Sequence, residues 1–489
     1  MPGSGPFPSP VPLRPGSPEA LEAAWADYFH RTALEPPRHP AARDFLDEDL
    51  RATLRRWIPA DASVVEVGCC TGDLIAALPN RERVGIAPLT DLAAQAQRRH
   101  PEVTFEVAKV ECLPPGRRFD AVICDRLCHT VTDLRAWLES LRDRLTEHGL
   151  IYLTAYNYLW EFAARTAEMV GWKTPAPTSN WLSHSDFHNL FSITGLEMIR
   201  FEDRLLLPLQ VPGLAPLVNR YLAKLPLVQR FSLYRLYALR RRDATPAARP
   251  LSVSVVVPTR NEAGNVTAAI ERTPSMGSST ELIFVEGGST DGTWEMIENA
   301  IKEYRGPLKL SAYQQTGKGK GDAVRLGFAK ATGDVLMILD ADLTVPPEEL
   351  PVFYDVIARG LGDFVQGTRL VYPMQPGAMR FFNRVGNQAF SHLFTYLLQQ
   401  PIKDTLCGTK VLRRRDYERL AAARHVFGDF DPFGDFDLIF GAARLNLKIV
   451  EIPVRYRERL YGSTNISRWK HGWLLLKMSA VAASKLKYV

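Results

Sequence analysis

Short apolar runs rich in β-branched residues alternate with helix-length stretches, and this alternation occurs twice along the chain. Residues 64–67, 83–86, 103–107, 121–123 and 150–154 form the first set, with residues 133–145 filling one gap as a helix. Residues 253–257, 282–285, 335–339 and 364–365 form the second. Runs of this length, apolar on both faces, belong to buried strands, and the helices between them imply parallel crossovers. The pattern predicts an α/β protein of two doubly wound domains, each a sheet with helices on both faces. At 489 residues the chain also exceeds what one core organises.

The punctuation between the sets gives the boundaries. Residues 1–20 are rich in Pro, Gly and Ser, lack the apolar segment of a secretory signal, and read as a disordered tail. The first domain is expected over 21–203. The apolar, proline-rich stretch 204–250, which ends in Arg240, Arg241 and Arg242 and a loop-like tail, reads as a connector. The second domain is expected over 251–472, with an amphipathic helix at 473–489. That last stretch is interrupted by Lys477, Lys485 and Lys487, so it is expected to pack on the protein or lie on a membrane rather than cross one. A net charge of +6 over the whole chain is too dilute for nucleic acid. The six cysteines show no zinc or disulfide spacing, which predicts reduced thiols and a cytoplasmic protein.

In the second half, the apolar run 335–339 ends abruptly in Asp340, Ala341 and Asp342. Carboxylates at the carboxyl end of a buried strand suit Mg²⁺ or Mn²⁺ bridging a diphosphate, or else they cap a turn. Just upstream, Gly317, Lys318, Gly319, Lys320, Gly321 and Asp322 precede a helix, forming either a phosphate cradle or a solvated turn. Gly367, Thr368 and Arg369 follow a strand. Arg380, Asn383 and Arg384 recur at helical spacing, presenting guanidinium groups to an acceptor phosphate or only to solvent.

These segments, together with VSVVVPTRNEAGNV, VEGGSTDGT and YGSTNIS, resemble the family 2 glycosyltransferases of the GT-A fold, in particular the dolichyl-phosphate mannose synthase-like branch, over residues 251–472. The resemblance implies that Pro258, Thr259, Arg260, Asn261 and Glu262 sit by the nucleotide of a nucleotide-sugar donor, with Glu286, Lys318, Lys320, Asp322 and Asp340. Asp340 and Asp342 would hold the metal. Asp435, Asp437 and Arg369 would serve catalysis, and Arg380, Arg384 and Arg468, the last in a basic loop over 462–471, would receive the acceptor. Gly287 departs from the family, where an acid usually follows the position of Glu286. The implied reaction is inverting transfer to a polyprenyl phosphate or glycolipid precursor, with peripheral membrane contact. If the acceptor is a phosphate, its oxygen is already ionised and Asp435 and Asp437 need only organise the site.

In the first half, VVEVGCCTGDLIAALP reads as strand, glycine turn and helix. With the segment 119–154 it resembles class I S-adenosylmethionine-dependent methyltransferases over residues 25–200. The resemblance implies cofactor contacts from Glu66, Gly68, Gly72 and Asp73, with Asp125 and His129 in the pocket and His129 as an ordinary polar contact. Three positions depart: Cys70 stands for a glycine, Ala87 for the acid that binds the ribose, and Lys109 for an acid near the adenine. Two lost charged hydrogen bonds plus crowding weaken cofactor binding roughly a thousandfold. The domain is therefore either a methyltransferase or a scaffold or regulatory domain. The alternatives to the main reading are a bifunctional enzyme acting on a soluble small molecule and a non-catalytic nucleotide sensor.

Overall fold

The computed structural model describes residues 23–30, 40–110, 116–131, 133–170, 180–208, 211, 213–242, 249–369, 371, 381–424, 435–457, 461 and 476–487. The chain divides into two compact units, Met1–Arg241 and Arg242–Val489.

The first unit is built on β1 (Val64–Val67), β2 (Arg83–Ala87), β3 (Thr104–Val107), β4 (Phe119–Cys124), β5 (Leu145–Tyr156), β6 (Leu196–Arg204) and β7 (Tyr234–Arg241). These form one sheet in the order β3-β2-β1-β4-β5-β7-β6, parallel through β5, with β7 antiparallel to both β5 and β6. Strand order reverses between β1 and β4, the switch point where such sheets open a crevice at their carboxyl edge. The expected connector is corrected here. Residues 234–241 form β7, in which Leu236, Ala238 and Leu239 are fully buried, and the first unit therefore runs on to Arg241. The prolines ahead of β7 masked its apolar alternation, which belongs to a strand held between two neighbours.

The second unit contains β8 (Val253–Thr259), β9 (Thr280–Glu286), β10 (Lys309–Gln314), β11 (Val335–Ile338), β12 (Phe364–Thr368), β13 (Lys410–Arg413) and β14 (Ile449–Pro453). Their order is β10-β9-β8-β11-β13-β12-β14, with β13 antiparallel to its neighbours β11 and β12. The expectation of two doubly wound α/β units holds, each sheet having seven strands. Sequence patterning missed β10, β13 and β14. β10 is a half-exposed edge, and β13 is four residues long, with Lys410 buried in it because its ammonium donates to Cys407 O at 2.6 Å.

At the C-terminus, Met478 and Ala482 are buried in the core with Phe394 and Leu397, and Lys487 Nζ lies 4.8 Å from the centre of the Tyr396 ring. The described part of this segment thus packs its apolar side on the unit's own helix Phe381–Leu398. Among the described residues no helix is long and apolar enough to cross a membrane. The five described cysteines are unbonded.

Candidate functional site

β11 lies between β8 and β13, and Val335 to Leu339 are fully buried because helices cover both faces. The strand ends where Leu343 N donates to Asp340 O at 3.0 Å, and Leu343 takes the left-handed backbone region at φ 52°. This tight turn brings two carboxylates to the carboxyl edge. Asp342 Oδ1 accepts from Thr344 N at 3.1 Å and from Thr344 Oγ1 at 2.8 Å, which fixes its orientation. Asp340 Oδ1 lies 2.6 Å from Lys320 Nζ, and both side chains keep about a quarter to a third of their surface exposed.

Lys320 stands in the first turn of helix Gly319–Lys330. The loop before it is closed by its own acid, since Asp322 Oδ2 accepts from Gly317 N at 3.2 Å. Asp322, expected as a donor ligand, therefore shapes the loop that presents Lys318 and Lys320. Gly319 supplies φ 85°, which an L side chain adopts only with strain.

The ends of β8 and β9 form the other wall. Thr259 and Glu262 are buried, Pro258 is half-buried and Arg260 is exposed. Glu262 Oε2 accepts from Asn265 Nδ2 at 2.7 Å, and Asn261, at φ 54°, accepts from Thr290 N at 2.9 Å and donates its own N–H to Ser289 Oγ at 2.9 Å. Glu286 is buried and accepts from Ser289 N. At Gly287 a β-carbon would meet Gln315 at 3.5 Å, an ordinary contact, so the space for the missing acid is present and only the side chain is gone.

Arg369 differs most from its expected role. Its Nε and Nη2 donate to Asp404 at 2.6 and 2.8 Å, its backbone N donates to the same carboxylate at 3.0 Å, and Asp404 is fully buried. Burial works against the guanidinium charge, but Asp404 overrides it and raises the pKa. This is a packed ion pair that braces the loop after β12. Asp437, on helix Asp435–Arg444, accepts from Arg424 Nε at 3.1 Å and lies 3.8 Å from Arg325 Nη2. Both guanidinium groups approach the same oxygen, Oδ2, of Asp437. Arg325 shares helix Gly319–Lys330 with Lys320, so one helix touches both Asp340 and Asp437. Arg380 and Arg468, and the side chains of Arg384 and Asp435, lie outside the described residues.

Sequence reasoning missed Gly408, Asp404, Arg325 and Arg424. A β-carbon on Gly408 would overlap Asp340 Oδ2 and fall 2.5 Å from Lys320 Nζ. The segment LCGTK carries no sequence signal for that close approach. Among the described residues no group of three or more His, Cys, Asp or Glu side chains converges. Asp340 and Asp342 alone are hard oxygen donors too few for an all-protein metal cage. They fit Mg²⁺ or Mn²⁺ when diphosphate oxygens complete the shell.

In the first unit Gly68 and Gly72 take φ 73° and 76°, preserving the glycine turn after β1. The polar anchors are otherwise engaged. Glu66 is buried and accepts from Ile75 N at 3.0 Å, and burial, reinforced by Asp125, pushes its carboxyl up to about 8. Asp73 binds Thr71 Oγ1 at 2.7 Å and His100 Nε2 at 2.9 Å. Asp125 accepts from Thr154 Oγ1 at 2.6 Å and pairs with Arg126. His129 Nε2 accepts from Tyr156 N at 3.0 Å while Nδ1 lies 2.7 Å from Asn180 O, which fixes the tautomer with hydrogen on Nδ1 and makes it a structural contact. Ala87 is fully buried at the end of β2, and half-buried Cys70 sits on the turn. The glycine turn after β1 is thus kept, while the end of β2 carries Ala87 in place of a carboxylate.

Residues 254–420 match the glycosyl transferase family 2 profile, and residues 25–200 match a methyltransferase domain profile. The chain is 29% identical over 228 residues to the glycosyltransferase AglJ of Haloferax volcanii, covering 46% of this chain and 70% of that protein. It is 28% identical over 239 residues to the dolichol-phosphate mannosyltransferase of Pyrococcus furiosus, covering 46% and 64%. It is 29% identical over 219 residues to the undecaprenyl-phosphate 4-deoxy-4-formamido-L-arabinose transferase of Enterobacter sp. strain 638, covering 44% and 62%. The chain thus spans less than two thirds of the length of the latter two relatives.

Proposed function

We propose that the chain, whose residues 254–420 match the family 2 glycosyltransferase profile and residues 25–200 a methyltransferase domain profile, transfers a sugar from a nucleotide-sugar to a polyprenyl phosphate or related lipid phosphate, with inversion at the anomeric carbon. The observation that carries the donor side is the Lys320–Asp340 pair at the carboxyl edge of β11, beside Asp342. Asp340 and Asp342 would hold a Mg²⁺ or Mn²⁺ shared with the donor diphosphate, which when bound neutralises the leaving group. Lys318 and Lys320 would add positive charge to the same phosphates, and Glu262 and Glu286 would shape the turns that receive the nucleotide.

Proton balance at Asp437 favours this acceptor class. A hydroxyl acceptor must give up a proton to a base, and Asp437 is held between Arg424 and Arg325. A phosphate acceptor brings an oxygen already ionised and needs none. Asp437 and Arg369 are accordingly proposed as positioning residues, with Arg380, Arg384 and Arg468 the cations proposed for the acceptor phosphate and Asp435 a further organising acid. The relatives named for dolichol-phosphate and undecaprenyl-phosphate transfer support this class. Transfer then takes place at the cytoplasmic face of a membrane.

The first unit is proposed as a scaffold. Buried Ala87 stands at the end of β2 in place of a ribose-binding acid, and the Glu66 carboxyl accepts from the Ile75 amide, which supports a scaffold over methyl transfer. The test pairs two acceptors. Radiolabelled sugar should enter the organic phase with a polyprenyl phosphate and not with the matching polyprenol. Equal labelling of the alcohol, or labelling only of soluble acceptors, overturns the lipid-phosphate reading.

A further inference from the structure

Thirteen of the 21 exposed large apolar side chains among the described residues lie in two short segments of the first unit, 158–170 and 211–231. Hydrogen bonds join these segments into one surface. Asn157 Nδ2 donates to Arg230 O at 2.7 Å and to Ser232 O at 3.0 Å, and Trp160 Nε1 donates to Phe231 O at 2.9 Å. The surface stands at the carboxyl edge of the sheet, where Tyr156 at the end of β5 pairs with Tyr234 at the start of β7.

The second segment is turned inside out. Helix Leu214–Arg220 buries Ala215, and the turn after it buries Ala223 and Lys224, while Leu214, Leu217, Leu225 and Leu227 stand 43 to 73% exposed. Polar anchors fix this orientation. The Lys224 ammonium bonds the buried Glu202 carboxylate. Asn219 Oδ1 accepts from Leu206 N and Leu207 N, both at 2.9 Å, and its Nδ2 donates to Leu207 O at 2.8 Å. The first segment adds Phe162 and Met169, which are 82% and 87% exposed on a helix that buries nothing. Contiguous apolar surface of this kind marks an interaction site.

Charge selects the occupant. Residues 211–231 contain no acid; Lys224 is spent on Glu202, while Arg220 and Arg230 are exposed among the leucines, and Glu161 of the first segment is paired with Arg165. Two copies meeting through this face would bring like charges together, which costs affinity. An anionic lipid surface satisfies both the apolar and the basic parts. We propose that this face of the first unit rests on a bilayer with anionic headgroups, its leucines and Phe162 in the interfacial region and Arg220 and Arg230 at the level of the phosphates. The proposal deepens the lipid-acceptor reading by giving the contact a place on the methyltransferase unit, and it stands on separate observations.

The full chain is sedimented with vesicles of phosphatidylcholine alone and with about 30% phosphatidylglycerol. Binding is expected to the anionic vesicles, weakened by salt. The triple variant Phe162→Ser, Leu217→Ser, Leu227→Ser should bind about tenfold less or weaker still, with unchanged thermal midpoint and donor turnover. The variant Arg220→Glu, Arg230→Glu, which keeps the apolar face, should lose the preference for anionic lipid and decides the matter if the triple variant misfolds. A wild-type chain that stays in the supernatant overturns the proposal. So does a charge variant that keeps the anionic preference, or a dimer that the triple variant dissolves without any vesicle binding. Failure of the transferase reading looks different: vesicle binding persists while no nucleotide-sugar is consumed.

Discussion

Lys320 Nζ lies 2.6 Å from Asp340 Oδ1, and the pair leans on the bare α-carbon of Gly408. The ammonium balances an acid that would otherwise face the crevice as an uncompensated charge. If a nucleotide-sugar binds at this edge as proposed, Lys320 would exchange Asp340 for the phosphate oxygens.

Gly408→Ala should disable this arrangement without touching either charged residue. A β-carbon there overlaps the Asp340 carboxylate, and displacement of a positioning group by about 1 Å costs on the order of 100-fold in rate. Steady-state assays should show that loss in kcat/KM, with far-UV circular dichroism unchanged.

Arg369→Ala should act on stability first. It strands the fully buried Asp404 carboxylate, a change that costs about 3–5 kcal/mol. Urea unfolding should show this loss, and Arg369→Lys should recover only part of it because lysine cannot make the two parallel bonds. A stable Arg369→Ala protein with selectively reduced kcat would instead mark Arg369 as catalytic.

Asp437→Asn should leave the shape of the pH–rate profile as it is, with a fall in rate of less than about tenfold, since a carboxylate paired with Arg424 organises rather than deprotonates. Disappearance of an acid limb in the variant would make it the base.

Glu66 sets a pH dependence in the first unit. Its folded pKa is raised to about 8 from 4.5. The folded state therefore holds a proton that the unfolded state has released between these values, and stability falls as pH rises through that window. Thermal midpoints of the first unit's transition should drop from pH 5 to pH 8, and Glu66→Gln should flatten the trend.

Much of this architecture was written in local patterns. Uninterrupted apolar runs such as 335–339 announce central strands, and their abrupt end at Asp340 announces the crevice edge. What stayed hidden depends on partners distant in sequence. β7 follows a proline-rich stretch and is a strand only because β5 and β6 flank it. Arg369 looked like a ligand-facing cation because nothing in its neighbourhood reveals Asp404, 35 residues on. Asp322 looked like a phosphate-loop acid, and only the closed loop shows it turned back onto Gly317. The inside-out leucines of 214–227 were legible as apolar, but their outward direction is set by Asn219 and Lys224 contacts that no periodicity encodes.

Metal-dependent donor turnover is proposed to need the charge at Asp342, and Asp342→Asn isolates that charge, because the amide oxygen can still accept from Thr344. Nucleotide-sugar turnover should vanish with a chelator and return with Mn²⁺ or Mg²⁺ in the wild type. In the variant it should stay depressed by about 100-fold or more at every metal concentration, with the thermal midpoint preserved. Turnover that ignores the chelator, or an Asp342→Asn enzyme as fast as the wild type, would contradict the account.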